Sequence, residues 1–204
     1  MSLIDGPDGR PRCEWGTSTP DYLAYHDTEW GRPVTEDRGV YERLCLEAFQ
    51  SGLSWLTILR KRETFRAAFA EFDFDAVARF SDRDVARLLG DAGIVRNRAK
   101  IEATIANAKA AAQLVAEGGS LAQLMWSFVP ERQSPPKSFG DLASTTPESK
   151  AFAKELKRRG FRFIGPTTAY AAMQACGVVN DHLVGCAVRD QVEGERVAAL
   201  ASIR

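Results

Sequence analysis

Apolar positions that recur every three or four residues occur along the whole chain, whereas the strict alternation that marks β-strands is scarce. Capping residues, prolines and glycines indicate where the helices start and end. The predicted helices cover about 38–51, 54–69, 81–89, 98–116, 121–128, 147–159 and 166–177. The fold class is therefore predicted to be all-α, with a Pro-, Ser- and Thr-rich loop at 130–147.

The segment KRRGFRFIGPTTAYAAM predicts a tight hairpin between two helices, because Gly160 ends one helix and Gly165 precedes the next. The N–H groups of Gly165, Thr167 and Thr168 would lie at the N-terminus of the second helix without hydrogen-bond partners. A cluster of Lys and Arg residues at 154–162 would lie beside them. Such a helix start binds phosphate well. A solvated basic helix face that binds nothing also explains the charges.

Composition narrows the class of protein. The 204 residues are 45% hydrophobic and 26% charged, which fits one globular domain. The net charge is zero, so any nucleic-acid contact would have to come from a local basic patch. No apolar run approaches the roughly 20 residues of a membrane span, and the N-terminus lacks the apolar core of a signal peptide. We therefore expect a cytoplasmic protein with no membrane partner. Four cysteines are then expected as free thiols or metal ligands.

Both histidines of the chain have a cysteine at a useful spacing. Cys13 precedes His26 by thirteen positions, and His182 precedes Cys186 by four, which would place that pair on one face of a helix. Two thiolates and two imidazoles form a closed tetrahedral set for one structural Zn²⁺, with no open position for catalytic water. Ordinary buried thiols and surface histidines are the alternative. The remaining cysteines, Cys45 and Cys176, are expected in the core.

Tyrosine and tryptophan concentrate in the first 55 residues. The set is Trp15, Tyr22, Tyr25, Trp30, Tyr41 and Trp55. Core packing is their default role, but a cage of Trp and Tyr also suits a flat or cationic ligand. Glu47 flanks the apolar stripe of its helix, and the residue pattern alone favours a position at the solvent boundary.

A series of motifs together resembles the 3-methyladenine DNA glycosylase I family of the helix–hairpin–helix DNA repair superfamily. The motifs are RCEW, YLAYHDTEWG, LCLEAFQSGLSW, DAGIVRNRAKI, WSFV, KRRGFRFIGPTT and MQACGVVNDHLVGC. They imply an all-α glycosylase domain at 12–188, with the helix–hairpin–helix at about 154–176. Residues 1–11 form an N-terminal extension and 189–204 a C-terminal tail, and neither is interpreted.

The resemblance assigns roles to individual residues. It implies a zinc site of Cys13, His26, His182 and Cys186 that ties the N-terminal segment to the last helix of the fold. It implies that the substrate is bound by Trp15, Tyr22, Tyr25, Trp30, Glu47 and Trp55. Among these, Glu47 is the catalytic carboxylate. It implies a DNA-backbone grip through Gly165, Thr167 and Thr168. Leu53 is the candidate wedge for the gap that a flipped base leaves, and a core leucine is the alternative.

Two positions depart from related helix–hairpin–helix glycosylases. Asn180 stands where relatives have a catalytic aspartate, and Asp181 is one place off. Thr167 stands where strand-cleaving relatives have a lysine nucleophile. The resemblance therefore implies a monofunctional enzyme, a monomer that releases free 3-methyladenine from alkylated double-stranded DNA. A non-enzymatic, zinc-stapled DNA-binding module and a glycosylase for another alkylated base are the alternatives.

Overall fold

The computed structural model describes residues 2–203, which form ten α-helices and one short β-hairpin. The strands are β1 (Leu3–Asp5) and β2 (Pro11–Cys13), antiparallel with Leu3 opposite Cys13. The helices are α1 (Pro20–Thr28), α2 (Asp37–Gln50), α3 (Trp55–Ala68), α4 (Phe74–Ala78), α5 (Asp82–Gly90), α6 (Arg98–Ala116), α7 (Leu121–Trp126), α8 (Pro147–Arg158), α9 (Pro166–Ala175) and α10 (Arg189–Ile203). Short 3-10 turns lie at Glu14–Thr17, Ala70–Phe72 and Phe139–Asp141.

The mostly helical class is confirmed, and the seven predicted helices are present with ends shifted by a few residues at most. The β-hairpin and three helices, α1, α4 and α10, were not predicted. Helix α1 buries Tyr25 and His26, so no aliphatic stripe marks it. Helix α4 has only five residues, and α10 has Val192 as its one fully buried residue among those described.

Helix α2 is the centre of the fold and packs against α3, α6, α7 and α9. Its residues from Leu44 to Phe49 are all buried. The Tyr41 hydroxyl donates a hydrogen bond of 2.9 Å to the Thr104 carbonyl of α6, which fixes α2 and α6 relative to each other. A helix buried on nearly every side holds its side chains rigidly, and this helix carries Glu47.

The hairpin between α8 and α9 has the predicted shape. Gly160 has a φ of +95°, and the N–H groups of Gly160 and Phe161 donate to the carbonyls of Lys157 and Leu156. These two bonds form a Schellman motif that ends α8. Buried Asn107 of α6 then holds the backbone of Arg162 on both sides, accepting from its N–H at 2.7 Å and donating to its carbonyl at 3.1 Å. The hairpin is therefore anchored to the core.

The two terminal segments pack on the rest of the chain. Strand β2 is joined to the loop before α10 by a hydrogen bond of 2.8 Å from the Ala187 N–H to the Pro11 carbonyl. Helix α10 buries Val192 in a small cluster with Cys13, Leu183 and Cys186. No helix of residues 2–203 has both the length and the apolar character needed to cross a membrane.

Candidate active site, metal site and DNA-facing surface

A cavity of about 560 Å³ opens between α1, α2, α3, α9 and the loop before α8. All six residues predicted to bind substrate line it: Trp15, Tyr22, Tyr25, Trp30, Glu47 and Trp55. The volume lies within the usual range for small-molecule sites. The sequence-based hypothesis of an aromatic pocket with one carboxylate therefore corresponds to a real cavity. Tyr41 is outside it and packs in the core.

The aromatic walls are held by one another and by backbone. The ring of Trp15 meets those of Tyr22 and Trp30 edge to face, at 5.7 and 4.9 Å between centroids. Tyr25 and Trp55 pack on each other at 5.3 Å. The Leu56 N–H donates to the Tyr22 hydroxyl at 3.0 Å, which ties α1 to the start of α3. These contacts fix the rings before any ligand arrives.

Glu47 is 7% exposed, so the solvent-boundary position that the residue pattern alone favoured is wrong; the family resemblance had instead placed Glu47 in a pocket. It lines the cavity, and none of the residues 2–203 donates a hydrogen bond to its carboxylate. Burial raises its pKa to about 8, and the positive charge of Arg43 opposes that rise. Trp55 lines the same cavity, and its indole N–H is buried without an acceptor. The cavity thus presents unsatisfied polar groups within apolar walls, an arrangement typical of ligand sites.

Several lining residues were missed by sequence reasoning. Phe139, Leu142, Ala143 and Ser144 come from the loop at 130–147, whose composition carried no periodic signal. Gln174 of α9 lines the cavity too, and its Nε2 donates to Asp181 at 2.7 Å. Gln50, Ser18 and Ala171 complete the set. The loop therefore supplies one wall, which only the three-dimensional structure reveals.

Cys13, His26, His182 and Cys186 converge into one buried cluster, with their ligand atoms all within 4.8 Å of one another. His26 Nε2 lies 3.2 Å from His182 Nδ1, and Cys186 Sγ lies 3.6 and 3.7 Å from those two nitrogens. Tetrahedral zinc bond lengths place two nitrogens about 3.3 Å apart and a nitrogen and a sulfur about 3.6 Å apart. The cluster therefore fits a tetrahedral Zn²⁺ in both donor chemistry and spacing.

The remaining ring nitrogens of the cluster are occupied. His26 Nδ1 lies 2.8 Å from Asp27, whose carboxylate also accepts two bonds of 3.0 Å from the Arg12 guanidinium. His182 Nε2 lies 3.0 Å from the Trp30 carbonyl. These partners set the tautomers so that His26 Nε2 and His182 Nδ1 face the cluster, as is usual around metal-bound histidines. Trp30 thus touches both the cluster and the cavity.

One detail of the predicted metal site is wrong. His182 and Cys186 are not on a helix; they lie in a turn-rich loop between α9 and α10. The Cys186 N–H bonds to the Leu183 carbonyl at 2.9 Å, and a tight turn brings the two side chains together. Gly185 has a φ of +90° there, which favours glycine. The cluster consequently joins the β-hairpin and α1 to this loop rather than to a last helix.

The segment VVNDH is buried, and its polar side chains all have partners. The Asp181 carboxylate accepts bonds of 2.7 Å from Tyr170, Gln174 and Gln133. The Asn180 side chain donates to the Arg189 carbonyl and to Glu193. Neither residue lines the cavity. Their contacts are those of residues that hold α9 and α10 in place.

The residues predicted to meet DNA lie on the surface. Leu53 is 43% exposed in the turn between α2 and α3, so the alternative of a core leucine is wrong. The Lys100 ammonium holds this turn by donating to the Phe49 and Ser51 carbonyls at 2.8 and 2.6 Å. Gly165 and Thr167 are exposed at the start of α9, and Thr168 is half-buried.

Comparison with known proteins places the chain in one family. Residues 15–190 match the model of a family described as methyladenine glycosylase. DNA-3-methyladenine glycosylase 1 of Escherichia coli (strain K12) is 47% identical over 177 residues, which are 86% of this chain and 95% of the relative. A crystal structure of 3-methyladenine DNA glycosylase I is 48% identical with a TM-score of 0.83, covering 86% and 98% of the two chains. A structure on 3-methyladenine recognition by the Staphylococcus aureus enzyme is 33% identical with a TM-score of 0.83, covering 87% and 96%. The chain belongs to the methyladenine glycosylase family.

Proposed function

We propose that this protein is a DNA repair glycosylase that flips 3-methyladenine out of alkylated duplex DNA into the aromatic cavity and hydrolyses its bond to the sugar. The observation that carries this is the buried, unpartnered Glu47 carboxylate inside a cavity walled by Trp15, Tyr25 and Trp55. Aromatic faces and a carboxylate both favour a flat cation over a neutral base.

The lesion supplies much of the driving force for its own removal. Adenine methylated at N3 is cationic in DNA, so it departs as a neutral base when the bond from N9 to the sugar carbon breaks. Water then adds to that carbon and releases a proton. The enzyme must mainly flip the nucleotide, which costs a few kcal/mol and less at a damaged base. The Glu47 carboxylate can accept a hydrogen bond from the exocyclic amino group and stabilise the positive charge.

A monofunctional reaction is proposed because strand cleavage requires an amine that forms a Schiff base. No lysine is among the residues that line the cavity in the described part of the chain. The buried Lys100 ammonium is engaged by two backbone carbonyls. Thr167, where strand-cleaving relatives have a lysine, has a hydroxyl in place of an amine and cannot form a Schiff base.

We infer that one structural zinc binds Cys13, His26, His182 and Cys186. Four protein ligands leave no position for reacting water, so the ion would contribute folding energy rather than chemistry. The ring of Trp30 packs 4.7 Å from that of His182. The metal site would therefore keep one wall of the cavity in place.

DNA would be held by the hairpin and by Leu53. The N–H groups of Gly165, Thr167 and Thr168 make no hydrogen bond within residues 2–203, which suits a phosphate at the start of α9. Leu53 would occupy the space left by the flipped base. A monomeric state and a cytoplasmic location remain predictions.

The test is incubation of the purified protein with methylated duplex DNA, followed by analysis of released bases and of strand integrity. Release of 3-methyladenine with intact strands, and no covalent adduct after borohydride reduction, is the expected result. Trp55→Ala should weaken binding of the free base by about 1–3 kcal/mol through lost stacking. Release of a different alkylated base would favour the related-glycosylase alternative.

DNA binding without any base release would favour the non-enzymatic alternative. That alternative needs the basic hairpin but neither the cavity nor Glu47. The presence of both is the observation against it.

A further inference from the structure

Arg43 is a largely buried arginine on α2, behind the cavity wall. Its side chain is 12% exposed, and one nitrogen, Nη2, donates to Glu29 at 3.1 Å. Its Nε and Nη1 atoms are buried without a hydrogen-bond partner. Buried polar groups without partners are destabilising. A buried cation in this state is therefore costly for the fold.

Arg43 lies one helical turn before Glu47, so the two side chains project from the same face of α2. No ion pair joins them in the described part of the chain. Their charges instead interact across a gap in a protein interior, where screening by water is weak. The positive charge opposes the effect of burial on the pKa of Glu47.

The other titratable groups that face Glu47 carry no charge near neutral pH. Burial raises the pKa of Tyr25, which comes from α1, well above its usual range. Burial also raises the pKa of Cys176, at the end of α9, to about 12. Trp55 from α3 does not titrate. Arg43 is thus the charged group that faces Glu47 within residues 2–203.

A network of ion pairs holds Arg43 in position. Its partner Glu29, at the end of α1, also binds Arg62 of α3 with two bonds of 2.5 and 2.8 Å. Glu42, one residue before Arg43, lies 3.8 Å from Arg43 Nη1 and 2.8 Å from Arg66 of α3. The guanidinium is therefore tied to α1 and α3, the two helices that carry Tyr22, Tyr25 and Trp55.

We propose that Arg43 is a positioning residue whose positive charge favours the negatively charged form of Glu47 in the empty cavity. This rests on the proposed role of Glu47 in binding the cationic base. A protonated Glu47 would lose its attraction for that cation. Arg43 thus extends the pH range over which the cavity accepts its substrate.

The experiment measures single-turnover excision of 3-methyladenine from methylated duplex DNA between pH 6 and pH 9, with spontaneous release subtracted. The wild-type rate should fall as the solution becomes more acidic. In Arg43→Met the midpoint of that fall should move upward by on the order of one pH unit, since a nearby opposite charge has an effect of that size. Arg43→Lys, which keeps the charge, should restore a midpoint close to wild type.

Arg62→Gln is the matched control, because it disturbs the same Glu29 network without facing Glu47. It should lower stability and leave the midpoint unchanged. Arg43→Gln serves as a second neutral variant if Arg43→Met does not fold. In a Glu47→Gln background the fall of the excision rate at acidic pH, the acid limb, should be absent. Adding Arg43→Met to that background should then shift no midpoint.

The outcomes separate the two proposals. An unchanged midpoint in Arg43→Met and Arg43→Gln, with the limb still abolished by Glu47→Gln, would overturn the role of Arg43 alone. An acid limb that persists in Glu47→Gln would instead overturn the role of Glu47. A shift of equal size in Arg62→Gln would show that any damage to the ion-pair network has the same effect.

Discussion

Asp181 and Glu47 are both buried carboxylates, at 4% and 7% exposure. They lie in two regions of the molecule, Asp181 in the loop after α9 and Glu47 on α2. Asp181 accepts hydrogen bonds of 2.7 Å from three side chains that come from α9 and from the loop at 130–147. Glu47 accepts none from residues 2–203 and faces a cavity. Burial alone therefore does not distinguish a structural carboxylate from a functional one.

The number of donors makes the distinction. A buried carboxylate with all its partners in the protein stabilises one arrangement of the chain. A buried carboxylate without partners is costly, and a ligand can remove that cost by supplying the donor or the charge. The segment around Asn180 and Asp181, together with the Cys/His cluster, has its partners within the protein and is structural. Glu47 in the cavity lacks such partners.

The largest effect should come from the metal cluster. Cys13→Ser removes one of the four proposed ligands from a buried Cys/His cluster that joins strand β2 to the loop before α10. Because metal affinity is coupled to folding, we expect a loss of several kcal/mol in the free energy of unfolding and loss of bound zinc. Metal analysis and thermal unfolding measure both.

The cysteines of the core provide the control for that variant. Cys45→Ser alters a buried thiol outside the cluster and should keep its zinc. Two results together would contradict the proposed zinc site. The first is wild-type protein, prepared without added zinc, that contains no metal; the second is a Cys13→Ser variant as stable as wild type.

The next largest effect should come from Glu47→Gln, which keeps the shape of the side chain and removes its charge. Loss of one preorganised electrostatic contact typically costs about 2–4 kcal/mol in the transition state. We expect slower excision and weaker binding of free 3-methyladenine, with unchanged zinc content and unchanged DNA affinity. A wild-type excision rate would make Glu47 an ordinary helix carboxylate.

The same variant should gain stability, with a definite pH dependence. The pKa of Glu47 is about 8 in the folded protein against an ordinary 4.5, so the folded state favours the protonated form. The cost to folding is absent below pH 4.5, grows as the pH rises and is complete above pH 8. Glu47→Gln should therefore be more stable than wild type at pH 9, by a few kcal/mol at most, and equal near pH 4.5. Chemical denaturation at both pH values measures the difference.

The sequence predicted much of the fold because helix signals are local. Asn97 caps α6 and the helix ends at Ala116, as the repeating apolar positions and the following glycines indicate. The four members of the Cys/His cluster were predictable too, since both histidines of the chain have a cysteine nearby. The residue pattern did not predict the burial of Glu47, because that burial depends on α2 being covered by four other helices. Only the family resemblance placed Glu47 in a pocket. The loop at 139–144 has no periodicity, so its place in the cavity wall could not be predicted.

A smaller effect is expected from a substitution of Asp181, the carboxylate that has all its hydrogen-bond partners within the protein. Asp181→Asn keeps the size of the side chain but replaces one acceptor oxygen with a donor that faces existing donors. We expect a loss of about 1–3 kcal/mol in the free energy of unfolding. Excision per folded molecule should stay close to wild type, because Asp181 does not line the cavity. A large loss of activity at full stability would mean that Asp181 acts on the cavity through Gln174 and that the division between the two carboxylates is wrong.

The smallest effect should appear on the hairpin, where two exposed arginines differ in their partners. The Arg158 guanidinium donates two bonds of 2.8 and 2.7 Å to Glu155, whereas the Arg162 side chain has no ion pair within residues 2–203. A phosphate at the start of α9 would be neutralised by the free charge more than by the paired one. Arg162→Glu should therefore weaken binding to undamaged duplex DNA and reduce the slope of affinity against salt by about one phosphate contact. Arg158→Glu should have a smaller effect on both quantities. Salt titrations of DNA binding for the two variants decide the matter, and equal affinities for Arg162→Glu and wild type would place the DNA surface elsewhere.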